Sequence, residues 1–181
     1  HISKEGIYFE QDAPEMLSLK MISGTRAGLK DPYSIMLSES VAKAIFGDED
    51  PVEKSIKINR TYDVKITGVY EDLPFNTTFR DVKVIMPWAL WLIDNPWGKN
   101  MEQPWGSNFS QTFVQLADNV ALEEASKRIK RVKSNNIGKE EIIYKWEAFL
   151  HPMSKWALES EFKNGINTGG GIKYVWMFGI I

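Results

Sequence analysis

The chain has 181 residues, 43% of them hydrophobic and 12% aromatic, enough to bury the core of one domain or two small subdomains. Its 22 Lys and Arg are matched by 24 Asp and Glu, and a net charge of −2 carries no polyanion-binding signature, which argues against nucleic acid as a partner. No cysteine is present, so a disulfide framework and a thiolate metal site are both excluded.

The chain opens on His1 with no signal-peptide pattern and reads as an excised piece of something longer. Ile7-Tyr8-Phe9-Glu10 is a strand candidate, and Ala13-Pro14-Glu15-Met16-Leu17 starts a helical turn, since Pro suits the first helical position. Leu19 to Gly24 leads into a loop that closes at Asp31-Pro32. Ser34 to Leu37 looks extended, and Ser38 is placed to cap a helix that buries Val41, Ala42, Ile45 and Phe46 on one side. Gly47 supplies a left-handed stop, and Pro51 prevents resumption. Ile56 and Ile58 face one way, as do Tyr62, Val64 and Ile66 after the Asn59-Arg60-Thr61 connection, which predicts a hairpin. Gly68 breaks the phase as a bulge or a close backbone approach does, and Asp72-Leu73-Pro74-Phe75-Asn76 ends the sheet.

Phe79 to Met86 predicts a further strand that runs into a short helix, Pro87 to Leu92. Asn95 to Ser110, with two Pro, two Gly and two Trp, reads as a long loop. Gln111 to Leu116 follows as a strand. Asn119 to Ser134 follows as a helix with Val120, Ala125, Ile129 and Val132 on its apolar face, acids in the first turn and bases in the last. Ile142, Tyr144, Trp146, Ala148 and Leu150 alternate as a final strand, and Asn164 to Gly171 reads as a flexible hinge or linker. The class is α+β, with strands and single helices intermixed.

No catalytic, cofactor or metal constellation emerges. The two histidines, His1 and His151, are too few for a metal site, Asp48-Glu49-Asp50 lacks the spacing of a calcium loop, and no glycine run has the pattern of a phosphate or dinucleotide cradle. The bases Lys127, Arg128, Lys130 and Arg131 are interspersed with acids and read as an ordinary half-exposed helix face. Tryptophan is the unusual component: seven occur, and Trp88, Trp91, Trp97 and Trp105 fall within one short span. Trp88, Trp91 and Trp146 read as core. Trp97 and Trp105, in the Pro/Gly loop, together with Phe109 mark a candidate partner or substrate surface.

Leu17 to Thr25, LKDPYSIMLSESVAKAIFGDEDPVEKSIKI and YDVKITGVYEDLPFNTTF together resemble the extracytoplasmic core domain of MacB-like permeases of ABC transporters, also called FtsX-like. Asp31-Pro32, Ser34 to Ser40, Ala42, Phe46-Gly47, Asp50-Pro51, Lys54 and Tyr62 to Pro74 occupy the family's motif positions, and Glu53 stands where a glycine is usual. TFVQLADNVALEEASKRIK and FLHPMSKWAL resemble later segments of the same family. The resemblance implies a Porter-like strand-helix subdomain (1–31 and 80–163) interrupted by a small Sabre-like β-rich subdomain with one helix (32–79). Residues 164–181 would then be a linker and the start of a truncated transmembrane helix, IKYVWMFGII. The family usually carries a further strand-helix-strand unit before the strand at Ile7, which this chain lacks. The implied role is non-enzymatic: a domain at the periplasmic face of the bacterial inner membrane that couples cytoplasmic ATP hydrolysis to export or extraction of a lipoprotein, peptide, lipid or antibiotic. Its implied partners are a second permease subunit, a cytoplasmic ATP-binding subunit or domain and a periplasmic adaptor. The rival reading from another class is the ligand-sensing extracytoplasmic domain of a membrane signalling receptor, with the Trp loop as its pocket.

Overall fold

The computed structural model describes residues 5–102, 104–106, 109–138, 143, 145–163 and 166–178. The chain divides into two compact units, His1–Asn100 and Met101–Ile181. In chain order the first contains β1 (Gly6–Phe9), α1 (Ala13–Met16), β2 (Met21–Gly24), β3 (Ser34–Ser38), α2 (Glu39–Phe46), β4 (Ser55–Ile58), β5 (Tyr62–Tyr70), β6 (Val84–Pro87) and α3 (Trp88–Asp94). The second contains α4 (Leu122–Ile129), β7 (Glu161–Lys163), β8 (Ile166–Gly169) and α5 (Ile172–Phe178).

One six-stranded mixed sheet organises the first unit in the order β1-β6-β3-β5-β2, with β4 on the opening stretch of β5. The β1–β6 and β3–β5 pairs are parallel, and the β6–β3, β5–β2 and β4–β5 pairs are antiparallel. The expected hairpin forms with Ile56 opposite Val64 and Ile58 opposite Tyr62. Its three-residue connection, Asn59 to Thr61, is closed by Thr61 N donating to the Ile58 carbonyl at 3.0 Å and holds Asn59 and Arg60 both at positive φ (49° and 60°), the sense that matches strand twist. The expected break in phase is also present. Ile35 pairs with Ile66 but Met36 pairs with Gly68, so Thr67 is an extra residue in β5. The bulge advances the alternation by one, and Val69 therefore joins Val64 and Ile66 in the core with Ile35, Leu37, Val41, Ala42 and Leu90. Gly68 and Gly24 also let β2 approach closely: a Cβ on Gly24, whose φ is +74°, would lie 2.2 Å from the Thr67 carbonyl oxygen.

All five residues of β3 are buried, because its second face is also covered. There a 3-10 turn, Arg26–Leu29, brings buried Leu29 to the sheet, and a Cβ on Gly28 would sit 2.9 Å from Met36 Cε. In α2, Val41 and Ala42 are buried and Phe46 is partly so, whereas Ile45, expected on the buried side, is 39% exposed. The expected cap also differs. Ser38 has the extended backbone of an N-cap, but its hydroxyl makes no capping bond and pairs with Ser40 Oγ instead. The capping oxygens come from Asp72, which accepts from Ser40 N at 2.9 Å and Ser40 Oγ at 2.8 Å. Gly47 has the positive φ expected (65°), but its ψ of −126° places it outside the left-handed helical well. Glu53 keeps a glycine-like φ of 72°. The strand expected from Phe79 is confined to Val84–Pro87; Phe79 and Val82 are buried from turns, with Phe79 edge-on to Phe9 at 5.7 Å.

The second unit departs further from expectation. Gln111–Leu116 is not a strand, and among the described residues no neighbouring strand completes a ladder there; Phe113 instead packs on Trp156 at 5.5 Å. The expected helix Asn119–Ser134 is α-helical only over Leu122–Ile129 and continues as turns. The expected final strand is absent from its described part, and Ile142 and Tyr144 lie outside the described residues. Lys145, at φ 48°, breaks the extended path, and the following segment bonds to α4 and its continuation instead of to a sheet. Leu150 N donates to Ser126 Oγ, Ala148 N to the Lys130 carbonyl, and Ser134 Oγ to the Trp146 carbonyl. These partners recur every four residues along the helix while the segment advances two at a time. Trp146, expected in the core, is 40% exposed, with the Lys133 ammonium 4.3 Å from its ring centroid. The run expected to be flexible carries β8, which pairs antiparallel with β7 as a small second sheet.

Candidate functional site

Val84–Pro87 delivers the chain to α3, whose first residue is Trp88. Trp88 and Trp91 are three residues apart, so one helix face carries both, and their rings stack at 4.4 Å with planes 11° apart. Trp97 meets Trp91 edge-on at 5.3 Å and 78°. Asn95 fixes this corner: its backbone N and its Nδ2 both donate to the Trp91 carbonyl, and its Oδ1 accepts from Trp97 Nε1 at 3.3 Å. Gly98 is required, because a Cβ there would stand 2.5 Å from Trp91 Cζ3. Trp97 thus rides on a built aromatic corner and is 52% exposed, whereas Trp88 and Trp91 are half-buried.

The structure places Trp97 in the first unit, in a 3-10 turn spanning Pro96–Gly98. Trp105 lies in the second unit, in a further Pro-Trp-Gly turn, Pro104–Gly106. Trp105 is 40% exposed and Phe109, also in the second unit, 41%.

Two polar clusters join residues that lie far apart in the sequence. In the first, the Tyr62 hydroxyl donates to Asp94 Oδ1 at 2.7 Å, and the rings of Tyr33 and Tyr62 lie 6.2 Å apart. That hydrogen bond raises the Tyr62 pKa; burial, then the Asp94 charge, raises that of Tyr8. In the second, Asp72 accepts from Ser40 and from Lys83 Nζ, joining the end of β5 to the start of α2 and the approach to β6. Burial on its own raises the Asp72 carboxyl, but the hydrogen bonds from Lys83 and Ser40 and the Lys83 charge outweigh it and leave the pKa below normal. Tyr70 beside it is fully buried and donates to the Val82 carbonyl; burial, then the Asp72 charge, pushes its phenol far above the usual range.

Among the described residues no group of three or more His, Cys, Asp and Glu could hold a metal ion. His1 lies outside the described residues, and the His151 ring lies edge-on to Phe162 at 5.1 Å.

At the other end of the chain, α5 presents Tyr174, Val175, Trp176 and Met177 to solvent, with Trp176 67% exposed. Among the described residues no helix is long and apolar enough to cross a membrane.

Residues 3–132 match the family described as MacB-like periplasmic core domain. The chain belongs to this family. It is a periplasmic domain of a MacB-like ABC transporter permease. Two solved structures share its fold. One is a domain of a putative permease protein from Porphyromonas gingivalis, with a TM-score of 0.53 and 22% identity over 72% of this chain and 58% of that one. The other is the periplasmic region of MacB from Actinobacillus actinomycetemcomitans, with a TM-score of 0.51 and 18% identity over 80% of this chain and 59% of that one. The chain therefore spans less than two thirds of either. No protein of curated function matches it. The mixed main sheet with a small second sheet is the MacB-like α+β fold.

Proposed function

We propose that this MacB-like domain is the periplasmic moving part of its permease. It has no catalysis of its own, and it transmits the work of a cytoplasmic ATP-binding subunit to the export or extraction of a substrate, opening and closing against a second permease subunit. A rigid junction to the membrane is what such coupling demands, and the observation that carries the reading is the way α5 is held. Gly169 and Gly170 turn the chain at φ 101° and 120°. Ile172 N then donates to the Leu158 carbonyl at 2.9 Å, and Lys173 pairs with Glu161 of β7 at 3.2 Å. The exposed apolar face of α5 emerges from that corner, as the first turns of a membrane helix would. In this reading 166–178 is less a flexible linker than a strut.

The contiguous β3–α2–β4–β5 stretch supports a Sabre-like part from 32 to 79, although the main sheet takes strands from both sides of those bounds. Trp97, Trp105 and Phe109 are the residues assigned to contact with a partner, a periplasmic adaptor among them, or with the substrate.

The test is to insert a short Gly/Ser stretch between Gly170 and Ile172 in the intact permease reconstituted with its ATPase. Transport falls while ATP hydrolysis persists. Unchanged transport with the insert in place refutes the coupling role.

A further inference from the structure

Tyr8 of β1, Tyr33 just ahead of β3, Tyr62 at the start of β5 and Asp94 at the end of α3 are far apart in the sequence and come together in the first unit. Asp94 is exposed; among the described residues its carboxylate accepts one hydrogen bond, from the Tyr62 hydroxyl on Oδ1, and faces no Lys, Arg or His within ion-pair distance. The lysines of the same unit that form ion pairs engage other acids: Lys20 with Glu71, Lys54 with Glu49, Lys57 with Asp63, Lys65 with Glu53 and Lys83 with Asp72. Tyr33 is 43% exposed and Tyr62 is partly buried against the core, with their ring planes tilted by 41°. The result is a carboxylate without an ion pair among the described residues, held by a phenol, beside one exposed and one partly exposed aromatic ring.

We propose that this cluster is a docking point for the guanidinium of an arginine on a protein partner, with Asp94 Oδ2 accepting an N–H while the rings of Tyr33 and Tyr62 receive its flat face. The chemistry selects that group. A guanidinium is planar and weakly hydrated, so it can stack on a tyrosine and donate to a carboxylate at the same time, whereas a compact ammonium must give up more water to do so. The setting selects a protein. Tyr and Trp are the residues that anchor interfaces, and Trp97 stands half-exposed three residues after Asp94. The inference does not depend on the transport reading.

The test uses the whole chain, isotope-labelled, titrated with N-acetyl-arginine amide and followed by heteronuclear NMR, with the citrulline and lysine analogues in parallel. The arginine probe shifts the amides of Tyr33, Tyr62 and Asp94 saturably, and the neutral citrulline isostere binds about tenfold more weakly, the scale of a lost charge-assisted hydrogen bond. Asp94→Asn, which keeps an acceptor for Tyr62 and so keeps the fold, shows a similar loss. Equal binding of citrulline and arginine, or an unaffected Asp94→Asn, overturns the site. Equal binding of lysine and arginine overturns its assignment to a guanidinium.

Discussion

Asp72→Ala tests how the main sheet is joined to its helix. The substitution removes two acceptors that serve the N-terminus of α2 and one that serves Lys83. Loss of an N-terminal cap costs about 1 kcal/mol. The Lys83 pair is partly exposed, so solvent screening limits it to about 0.5–1 kcal/mol. The two terms sum to about 1.5–2 kcal/mol, and in a chain of this size that lowers Tm by about 3–8 °C. The pH dependence has a fixed sign. The folded carboxyl titrates below its unfolded value of about 3.9, so its stabilisation is fully present above that pH and is lost as pH falls through the folded value. Urea melts of wild type and variant, followed by far-UV circular dichroism, should therefore differ most at neutral pH and converge as acid protonates the folded carboxyl. A loss under about 0.5 kcal/mol at neutral pH, the ordinary range for a surface change, refutes the capping role, as does a gap that survives acidification unchanged.

Three further substitutions follow from backbone geometry and exposure. Arg60→Gly should stabilise the hairpin by about 0.5–1 kcal/mol, since an arginine is held where glycine is preferred; a urea melt with no gain contradicts the turn assignment. Gly24→Ala should destabilise by more than about 2 kcal/mol, because the new Cβ meets the Thr67 carbonyl oxygen as well as an unfavourable φ, and a near-neutral melt would mean that β2 does not approach β5 this closely. Trp97→Ala should leave thermal stability within about 1 kcal/mol while impairing transport by the intact permease, whereas a large stability loss would make the indole structural.

How much of this was legible in the sequence depended on how local the cause is. The hairpin reads off because Ile56, Ile58, Val64 and Ile66 alternate and the turn lies between them. The bulge reads off because Gly68 interrupts that alternation. The cap of α2 does not, since its acceptor lies 32 residues away. For the same reason no motif reveals the meeting of Tyr8, Tyr33, Tyr62 and Asp94, which lie on four separate stretches of the chain. Trp97 and Trp105 were both visible as indoles in a Pro/Gly loop, but nothing in their spacing assigns them to different units. From Ile142 to Leu150 the alternation was genuine, yet period two does not specify what the segment bonds to. Ala148 and Leu150 spend their backbone donors on α4 and its continuation, an arrangement that no strand pattern distinguishes from a sheet edge.

The glycine run before α5 shows the opposite error, in which composition suggests freedom and geometry removes it. Gly170 stands at φ 120°, and a Cβ there would approach the Leu158 carbonyl oxygen to 3.1 Å and Ser160 N to 3.4 Å. A glycine is present because nothing larger fits the corner, so its flexibility belongs to the unfolded chain. Gly170→Ala should therefore open the corner at a local cost of about 1–3 kcal/mol, releasing the Ile172 amide from the Leu158 carbonyl. Native-state hydrogen exchange reads this directly: the amides of Ile172 and Lys173 should exchange about 5-fold to 150-fold faster, while those of β5, in the other unit, should not change. Unchanged exchange at Ile172 would mean that the run tolerates a side chain as a linker does, and the rigid strut on which coupling to the membrane depends would have to be abandoned.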